Sequence, residues 1–475
     1  MKVALLADIH GNRQALEAVL ADARARGAEE YWVLGDIIGY GPDPNGTVEL
    51  LSALPARVIT GNCCRRLREF YHNPAASPAP RTLIKRLLFR WTLEAISPWA
   101  LGWLGAQPTQ LDFELDGRRV TLCHARPGDD EKGILAATPA EELAAIAAAG
   151  GAHLLCCGHS HRALDRTVGG CRFINPGPLG RPEDGDPRAY YALLDTAAAD
   201  LAVEFRRVRY DWDATFEAVL AAGLPLAVAR MYVNGLRLKD VLAGPPPEFP
   251  DVLEDPLVVA AQRFNVRRNF NPGHEHQVTH VCSNLFDALW HEHGLGREEK
   301  VLLCCAAHLH DAGWVDGKKG HHKASRDIIL ADRSLGFTDA QRRMAALLAR
   351  YHRGAMPSRR KHPHYARMGL MDRWKIRMLA GILRIADGID HSHMADVDAI
   401  ECQSDDDSVV VGISGACRTS VMSGVLAAQR KSDLLSRALR KRVLIVLLDG
   451  AGPLHPSHPP PYLLQPAPDD EDDAL

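Results

Sequence analysis

The chain has 475 residues, 46% of them hydrophobic and 24% charged, with a formal net charge of -3; a polypeptide of this size forms two or three separate cores rather than one. Its near-balanced charge gives no reason to expect a nucleic-acid ligand. The opening apolar run ends at Asp8, too soon for a signal peptide, and no later run reaches the about 18 apolar residues of a membrane span, so a cytoplasmic protein without a membrane partner is expected.

From residue 1 to 238 short β-rich apolar runs alternate with alanine- and leucine-rich helical stretches, the pattern of an α/β layered domain. Five of the predicted strands end in side chains able to hold a metal: Val3 to Ala7 leads into Asp8, Tyr31 to Leu34 into Gly35-Asp36, Arg57 to Ile59 into Gly61-Asn62, Val120 to Cys123 into His124, and His153 to Cys157 into Gly158-His159. Ligands of open α/β sheets bind beyond the carboxyl ends of the strands. Asp8-Ile9-His10 and His159-Ser160-His161 each space two donors two residues apart, for a shared face. Singly, a strand-end Asp reads as a cap and a lone His as a core or surface residue; seven donors at five strand ends read as a metal centre.

The stretch 239–256 contains Gly-Pro-Pro-Pro and two further prolines, which interrupt helix and central strand alike, and reads as a linker. Residues 257–449 form a second domain, helical to about 390, with a β-like piece from Ala399 to Ile413 and a last strand from Val443 to Leu448. Residues 450–475 are proline-rich and then acidic, Asp469 to Asp473 all carrying carboxylates, and read as a disordered tail. The 11 cysteines include three adjacent pairs but no Cys-x-x-Cys, and read as reduced core thiols. Arg359, Arg360 and Lys361 are either a solvated loop or a face for an anion.

The donors Asp8, His10, Asp36, Asn62, His124, His159 and His161, together with Gly-Tyr-Gly-Pro-Asp-Pro-Asn at 39–45, Asn175-Pro176-Gly177 and Gly185-Asp186-Pro187-Arg188-Ala189, resemble the small bacterial phosphodiesterases of the calcineurin-like metallophosphoesterase family over residues 1–238. The resemblance implies a four-layer α/β/β/α sandwich. It also implies two divalent cations, one held by Asp8, His10, Asp36 and His161 and the other by Asp36, Asn62, His124 and His159. An imidazole-rich site with two carboxylates favours Mn, Fe, Zn or Ni over Mg. Two such cations lower the pKa of water between them and neutralise phosphate oxygens, the chemistry of phosphoester hydrolysis. Asp36, Asn62, Cys63 and His124 are the expected catalytic residues and Arg126 an added phosphate contact. Many relatives follow Gly-Asn with His-Asp, whereas Cys63-Cys64 stand here. A thiol is a poor substitute for an imidazolium acid, so good leaving groups, phosphodiesters or anhydrides, are expected to be favoured.

In the second domain His274, His310-Asp311 and Asp387 stand out, in the phrases His274-Glu275-His276-Gln277-Val278, Leu309-His310-Asp311-Ala312-Gly313, Gly320-His321-His322-Lys323, Tyr351-His352-Arg353-Gly354-Ala355 and Leu383-Arg384-Ile385-Ala386-Asp387. They resemble the HD phosphohydrolase superfamily, and more closely the helical C-terminal domain of exopolyphosphatase/guanosine pentaphosphatase proteins. The resemblance implies a mainly α-helical HD-like domain with one further metal at His274, His310, Asp311 and Asp387, or a ligand-binding or dimerising module gripping phosphates with Lys323 and Arg353. The expectation is therefore a metal-dependent phosphoesterase acting on phosphate mono- or diesters, its small-molecule substrate a nucleotide or polyphosphate. The alternative is a catalytically weakened sensor of such ligands. Whether it forms a homodimer is left open.

Overall fold

Strand β1 (Lys2–Leu6) sends alternate side chains into two different cores, as the two-residue period of a strand dictates. Val3 and Leu5 face Val120, Leu122, Leu154 and Ile174 of a second sheet, while Ala4 and Leu6 face Leu16, Val19 and Leu20 of the helix Arg13–Ala25. The computed structural model describes residues 1–73, 82–198, 201–268, 272–317 and 319–448; the predicted tail at 450–475 lies outside them. The chain divides into two units, Met1–Val241 and Leu242–Leu475.

In the first unit β1 lies parallel to β2 (Glu30–Leu34), and β2 to β3 (Ala56–Ile59). β9 (Ala189–Asp195) pairs antiparallel to β1 and to the edge strand β10 (Ala202–Val208). The second sheet runs β4-β5-β6-β8-β7, from β4 (Gln110–Leu115), β5 (Arg118–Cys123), β6 (Leu154–Cys156), β7 (Leu164–Val168) and β8 (Cys171–Asn175). Its outer face, Cys123, Leu155, Cys157 and Phe173, packs on Leu143 and Ala147 of the helix Ala140–Gly150. Helix, sheet, sheet and helix make the four layers of an α/β sandwich. The inter-sheet core fixes the strand ends that carry the site; truncating a fully buried residue such as Leu5 to Ala is expected to cost about 2–5 kcal/mol.

The second unit is mainly helical, with a three-stranded sheet of β11 (Val397–Ser404), β12 (Ser408–Gly415) and β13 (Arg442–Leu447). Its central helix, Leu370–Ile389, is buried on nearly every side, the mark of a helix enclosed by others. Gly381 and Gly388 permit that enclosure: a Cβ there would lie 2.9 Å from the Leu435 Cα and 2.6 Å from the Ala428 Cα. The helix Asp339–Tyr351 starts at a capping box, in which Thr338 Oγ1 accepts the Gln341 N–H (3.2 Å) and Gln341 Oε1 accepts the Thr338 N–H (2.9 Å). The stretch read as a linker is partly structured: the helix Leu238–Ala243 enters it, and Val252 is buried in the second unit's core with Phe249 against it, because its apolar residues outweigh the prolines between them.

All eleven cysteines are free thiols, and eight of them are buried. No helix among the described residues is long and apolar enough to cross a membrane.

Candidate metal centres

Asp8, His10, Asp36, His159 and His161 all adopt left-handed backbone conformations, with φ of 55°, 51°, 48°, 65° and 52°. Such conformations cost about 1–3 kcal/mol each for residues other than glycine and persist where surroundings enforce them. Here the loops after β1 and β2 are laced together: the Asp8 N–H donates to the Gly35 carbonyl (3.2 Å) and the His10 N–H to the Asp36 carbonyl (2.9 Å). Gly35 and Gly61 leave the room this needs. A Cβ on Gly35 would sit 2.7 Å from His124 Nδ1, and one on Gly61 would sit 2.3 Å from Asp36 Oδ1.

The side chains converge in two halves that share Asp36. In one, His10 Nε2 lies 3.3 Å from His161 Nε2, which is 3.5 Å from Asp8 Oδ1. In the other, His124 Nε2 lies 3.2 Å from Asn62 Oδ1 and 3.3 Å from His159 Nδ1. Asp36 Oδ2 stands 3.8 Å from His10 Nε2 and 3.5 Å from His124 Nε2. His159 and His161 thus serve different halves rather than a shared face, because their left-handed backbones break the alternation of a strand.

The outer atoms of these residues fix which atoms face inward. His124 Nδ1 bonds the Leu34 carbonyl (2.8 Å) and His161 Nδ1 the Arg181 carbonyl (3.0 Å), so each turns its Nε2 to the centre. Asp36 Oδ1 accepts the Cys63 N–H (2.8 Å) at the start of the helix Asn62–His72. Asp8 Oδ2 is buried without a hydrogen bond. The crowded, mixed imidazole, carboxylate and amide donor set is one that divalent metals take.

The second unit brings together a comparable set. His274 Nε2 is 3.5 Å from Asp387 Oδ1, which is 4.0 Å from His310 Nε2. Asp311 Oδ1 faces His321 Nε2 at 3.1 Å, His352 Nε2 at 3.6 Å and His310 Nε2 at 3.7 Å, and His321 and His352 Nε2 lie 3.2 Å apart. His310 and His352 each direct Nδ1 to a carbonyl of their own helix, Ala307 and Ala349, both at 2.7 Å. Asp311 Oδ1 and His310 Nε2 are buried with no hydrogen bond. Two donor groups result, His274-His310-Asp387 and Asp311-His321-His352. Sequence reading noted His321 and His352 as neighbours without making them ligands; their signal was position beside Lys323 and Arg353, not spacing.

Residues 1–199 match the calcineurin-like phosphoesterase superfamily domain, and residues 259–415 match domain III of the Ppx/GppA phosphatases. Residues 1–199 are thus a calcineurin-like phosphoesterase domain. The chain is 28% identical over 243 residues to a protein of Methanocaldococcus jannaschii, covering 47% of this chain and 93% of that one. It is 26% identical over 196 residues to the phosphodiesterase YfcE of Escherichia coli, covering 41% of this chain and 88% of that one. A metallophosphoesterase from Sphaerobacter thermophilus of known crystal structure is 30% identical, with a TM-score of 0.42, covering 50% of this chain and all of that one. By class the chain is a hydrolase of phosphoesters.

Within the phosphoesterase domain, electrostatics divides the donors. Burial holds the Asp8 carboxyl up at about 7. Burial opposes the charge on Asp36 too, but the neighbouring His124 and His10 and the Cys63 N–H outweigh it and hold that carboxylate well below its usual range. His124 is raised to about 9: burial lowers it, and Asp36 and Asp8 more than compensate. Burial, then the Arg181 charge, bring His10 down to about 3 and His161 well below its ordinary value. The Cys63 thiol is pushed well up by burial and by Asp36, so it stays protonated; its sulfur belongs to the group formed with His10 and Asp36.

Arg126, expected as a phosphate contact, pairs with Glu142 and donates to the carbonyl of Gly133, where an added Cβ would sit 3.1 Å from His159 Cδ2. Lys323 and Arg353 are exposed, and their charges bear on His322. Sequence reading missed Glu131, which receives the Asn62 amide (3.1 Å), Arg181, whose guanidinium lies 4.1 Å over the Tyr40 ring, and Lys431, paired with Asp387.

Proposed function

We propose that the phosphoesterase domain hydrolyses phosphate mono- or diesters at a dinuclear centre held by Asp8, His10, Asp36, Asn62, His124, His159 and His161. The observation that carries this reading is the Asp36 carboxylate, whose Oδ2 lies within 4 Å of one imidazole from each half of the cluster, His10 at 3.8 Å and His124 at 3.5 Å. Bound there, two cations of the Mn, Fe, Zn or Ni class would supply water of lowered pKa and neutralise the phosphoryl oxygens. The chain's own residues do the rest. Asn62 presents a neutral amide oxygen, its nitrogen tied to Glu131; His124 presents Nε2, its Nδ1 tied to Leu34. Cys63, a protonated thiol, stands where an acid would meet the leaving oxygen, and its weak donor strength favours substrates whose leaving group needs no proton.

The reading for the HD-like domain is a metal-dependent site for a phosphate-rich ligand such as a nucleotide or polyphosphate. It is favoured by Asp311 Oδ1, buried and without a hydrogen bond amid the Nε2 atoms of His310, His321 and His352. Those residues would hold cations together with His274 and Asp387, and Lys323 and Arg353 would meet the ligand's anionic end. Buried free thiols support residence in a reducing compartment such as the cytoplasm.

Hydrolysis of nucleotides, cyclic nucleotides, polyphosphate and phosphopeptides, with added manganese and read as free phosphate or, for diesters, as the monoester product, tests both sites when Asp36→Asn and Asp311→Asn are run beside the wild type. Each variant is expected to lose bound metal. A substrate lost only with Asp36→Asn belongs to the first centre, and one lost only with Asp311→Asn to the second. Undiminished turnover and metal content in Asp36→Asn would overturn the dinuclear reading.

A further inference from the structure

We propose that Arg181 is a further catalytic residue of the phosphoesterase domain, its guanidinium hydrogen-bonding the leaving oxygen of the substrate and stabilising the negative charge that grows there. The inference rests on the dinuclear reading above and deepens it: Arg181 supplies by charge what Cys63 supplies poorly by proton transfer. The chain is built to hold it there. Gly180, the residue before it, donates its N–H to the Asp8 carbonyl (3.0 Å) and accepts the Asn12 amide at its own carbonyl (2.9 Å). A Cβ on Gly180 would lie 1.8 Å from the Ile9 carbonyl oxygen, so the backbone at this point lies directly against the loop that carries Asp8 and His10.

The side chain turns over the His10–His161 half of the cluster. Its Cζ stands 4.1 Å over the Tyr40 ring, and that ring is 5.4 Å from the His10 ring. Glu183 Oε1 accepts from Arg181 Nη2 at 2.7 Å and lies 3.4 Å from His161 Nδ1, so a single carboxylate oxygen separates the guanidinium from a candidate ligand. Cys63 belongs to the same half: its sulfur lies within 4.8 Å of donor atoms of His10 and Asp36, and a Cβ on Gly39, next to Tyr40, would be 3.8 Å from Cys63 Cβ. Arg181 and Cys63 therefore flank one turn, Gly39-Tyr40. The guanidinium keeps donors to spare, since Glu183 takes Nη2 while Nε is buried without a hydrogen bond. Only 14% of the side chain is exposed, which leaves little water to screen its charge. Arginine keeps its proton, so its contribution is electrostatic. As hydroxide forms the new P–O bond and the old one breaks, the electron pair stays on the leaving oxygen, and the guanidinium meets an oxyanion without a proton moving. Leaving groups stable as anions, aryloxides and the phosphates of anhydrides, fit that arrangement.

The test is a series of aryl phosphodiesters that differ only in the leaving phenol, from nitrophenol to unsubstituted phenol. The full-length wild type, Arg181→Gln, Arg181→Lys and Asp36→Asn are compared on it with added manganese. Arg181→Gln is expected to lose kcat by about 10²–10³-fold on the phenol ester, the usual effect of removing one donor to an oxyanion. It should lose less on the nitrophenol ester, so its rates depend more steeply on leaving-group pKa than those of the wild type. Manganese stoichiometry and KM should stay as in the wild type. Arg181→Lys should recover part of the loss, and guanidinium ion at low concentration should restore turnover in Arg181→Gln. Equal steepness in wild type and Arg181→Gln, with Asp36→Asn inactive, would overturn the Arg181 assignment alone. Loss of manganese from Arg181→Gln would reduce the residue to a support for the loop around His161 and overturn it too. A wild type no faster than Asp36→Asn would bring down the dinuclear reading and this inference with it.

Discussion

Asn62 donates its side-chain amide to Glu131 at 3.1 Å and thereby turns its oxygen to within 3.2 Å of His124 Nε2. An amide that can rotate offers nitrogen or oxygen equally; Glu131 removes that choice, and Arg65 and Arg66 in turn hold Glu131. Replacing Glu131 with Ala is expected to weaken metal affinity or turnover by about 10–100-fold, the usual effect of losing an outer-sphere partner. Glu131→Gln keeps an acceptor oxygen and should retain most of the function. Manganese titrations on both variants check this, and equal affinity in wild type and Glu131→Ala would show that Asn62 needs no such support.

The Cys63 thiol, held protonated by burial and by Asp36, makes leaving-group dependence the readout of that position. The wild type is expected to turn over aryl phosphodiesters faster than alkyl ones. Cys63→His should narrow the gap by raising the alkyl rate, within the about 10²–10⁴-fold that a general acid contributes. Equal wild-type rates on the two classes would contradict the assignment.

Metal uptake should depend on pH in a definite direction. In the metal-free protein Asp8 is raised from 3.8 to about 7 and His124 from 6.5 to about 9, so both carry protons that a cation must displace. Each displaced proton makes affinity about tenfold stronger per pH unit. Two are displaced below about pH 7, and one between about 7 and 9. For the stripped protein the sign is opposite. A raised carboxyl stabilises the fold at low pH and loses that contribution as pH rises from about 4 through about 7, and the raised His124 loses its own through about 9. The gap in Tm between manganese-loaded and stripped protein should therefore widen from pH 6 to pH 9; a constant gap would refute the protonation scheme.

Gly35 and Gly27 both have left-handed φ, +91° and +82°, but an added Cβ meets His124 Nδ1 at 2.7 Å in the first case and nothing within 4 Å in the second. Gly27→Ala should cost only the backbone penalty, about 1–3 kcal/mol at most. Gly35→Ala should cost more and also abolish activity by displacing the His124 ring from the Leu34 carbonyl. Denaturant midpoints of the two variants make the comparison, and equal losses would mean that the His124 pocket yields freely.

The layered fold was legible because β-strands that bury both faces leave apolar runs such as Val3 to Ala7, and because polar donors interrupt those runs where the strands end. The linker at 239–256 misled, since prolines announce a break in regular structure without saying whether Val252 and Phe249 find a core.

The sequence by itself determined which side chains can ligate and at which strand ends they stand, because ligand chemistry belongs to residue type and strand ends to local apolar pattern. Only the tertiary structure decided how they combine. It sent His161 to His10 and His159 to His124 although one residue separates them, it brought His321 and His352 to Asp311 from separate helices, and it turned Glu131 onto Asn62 across 69 positions. The physical reason is that left-handed backbones and helix packing set where a side chain points, and neither follows from local pattern.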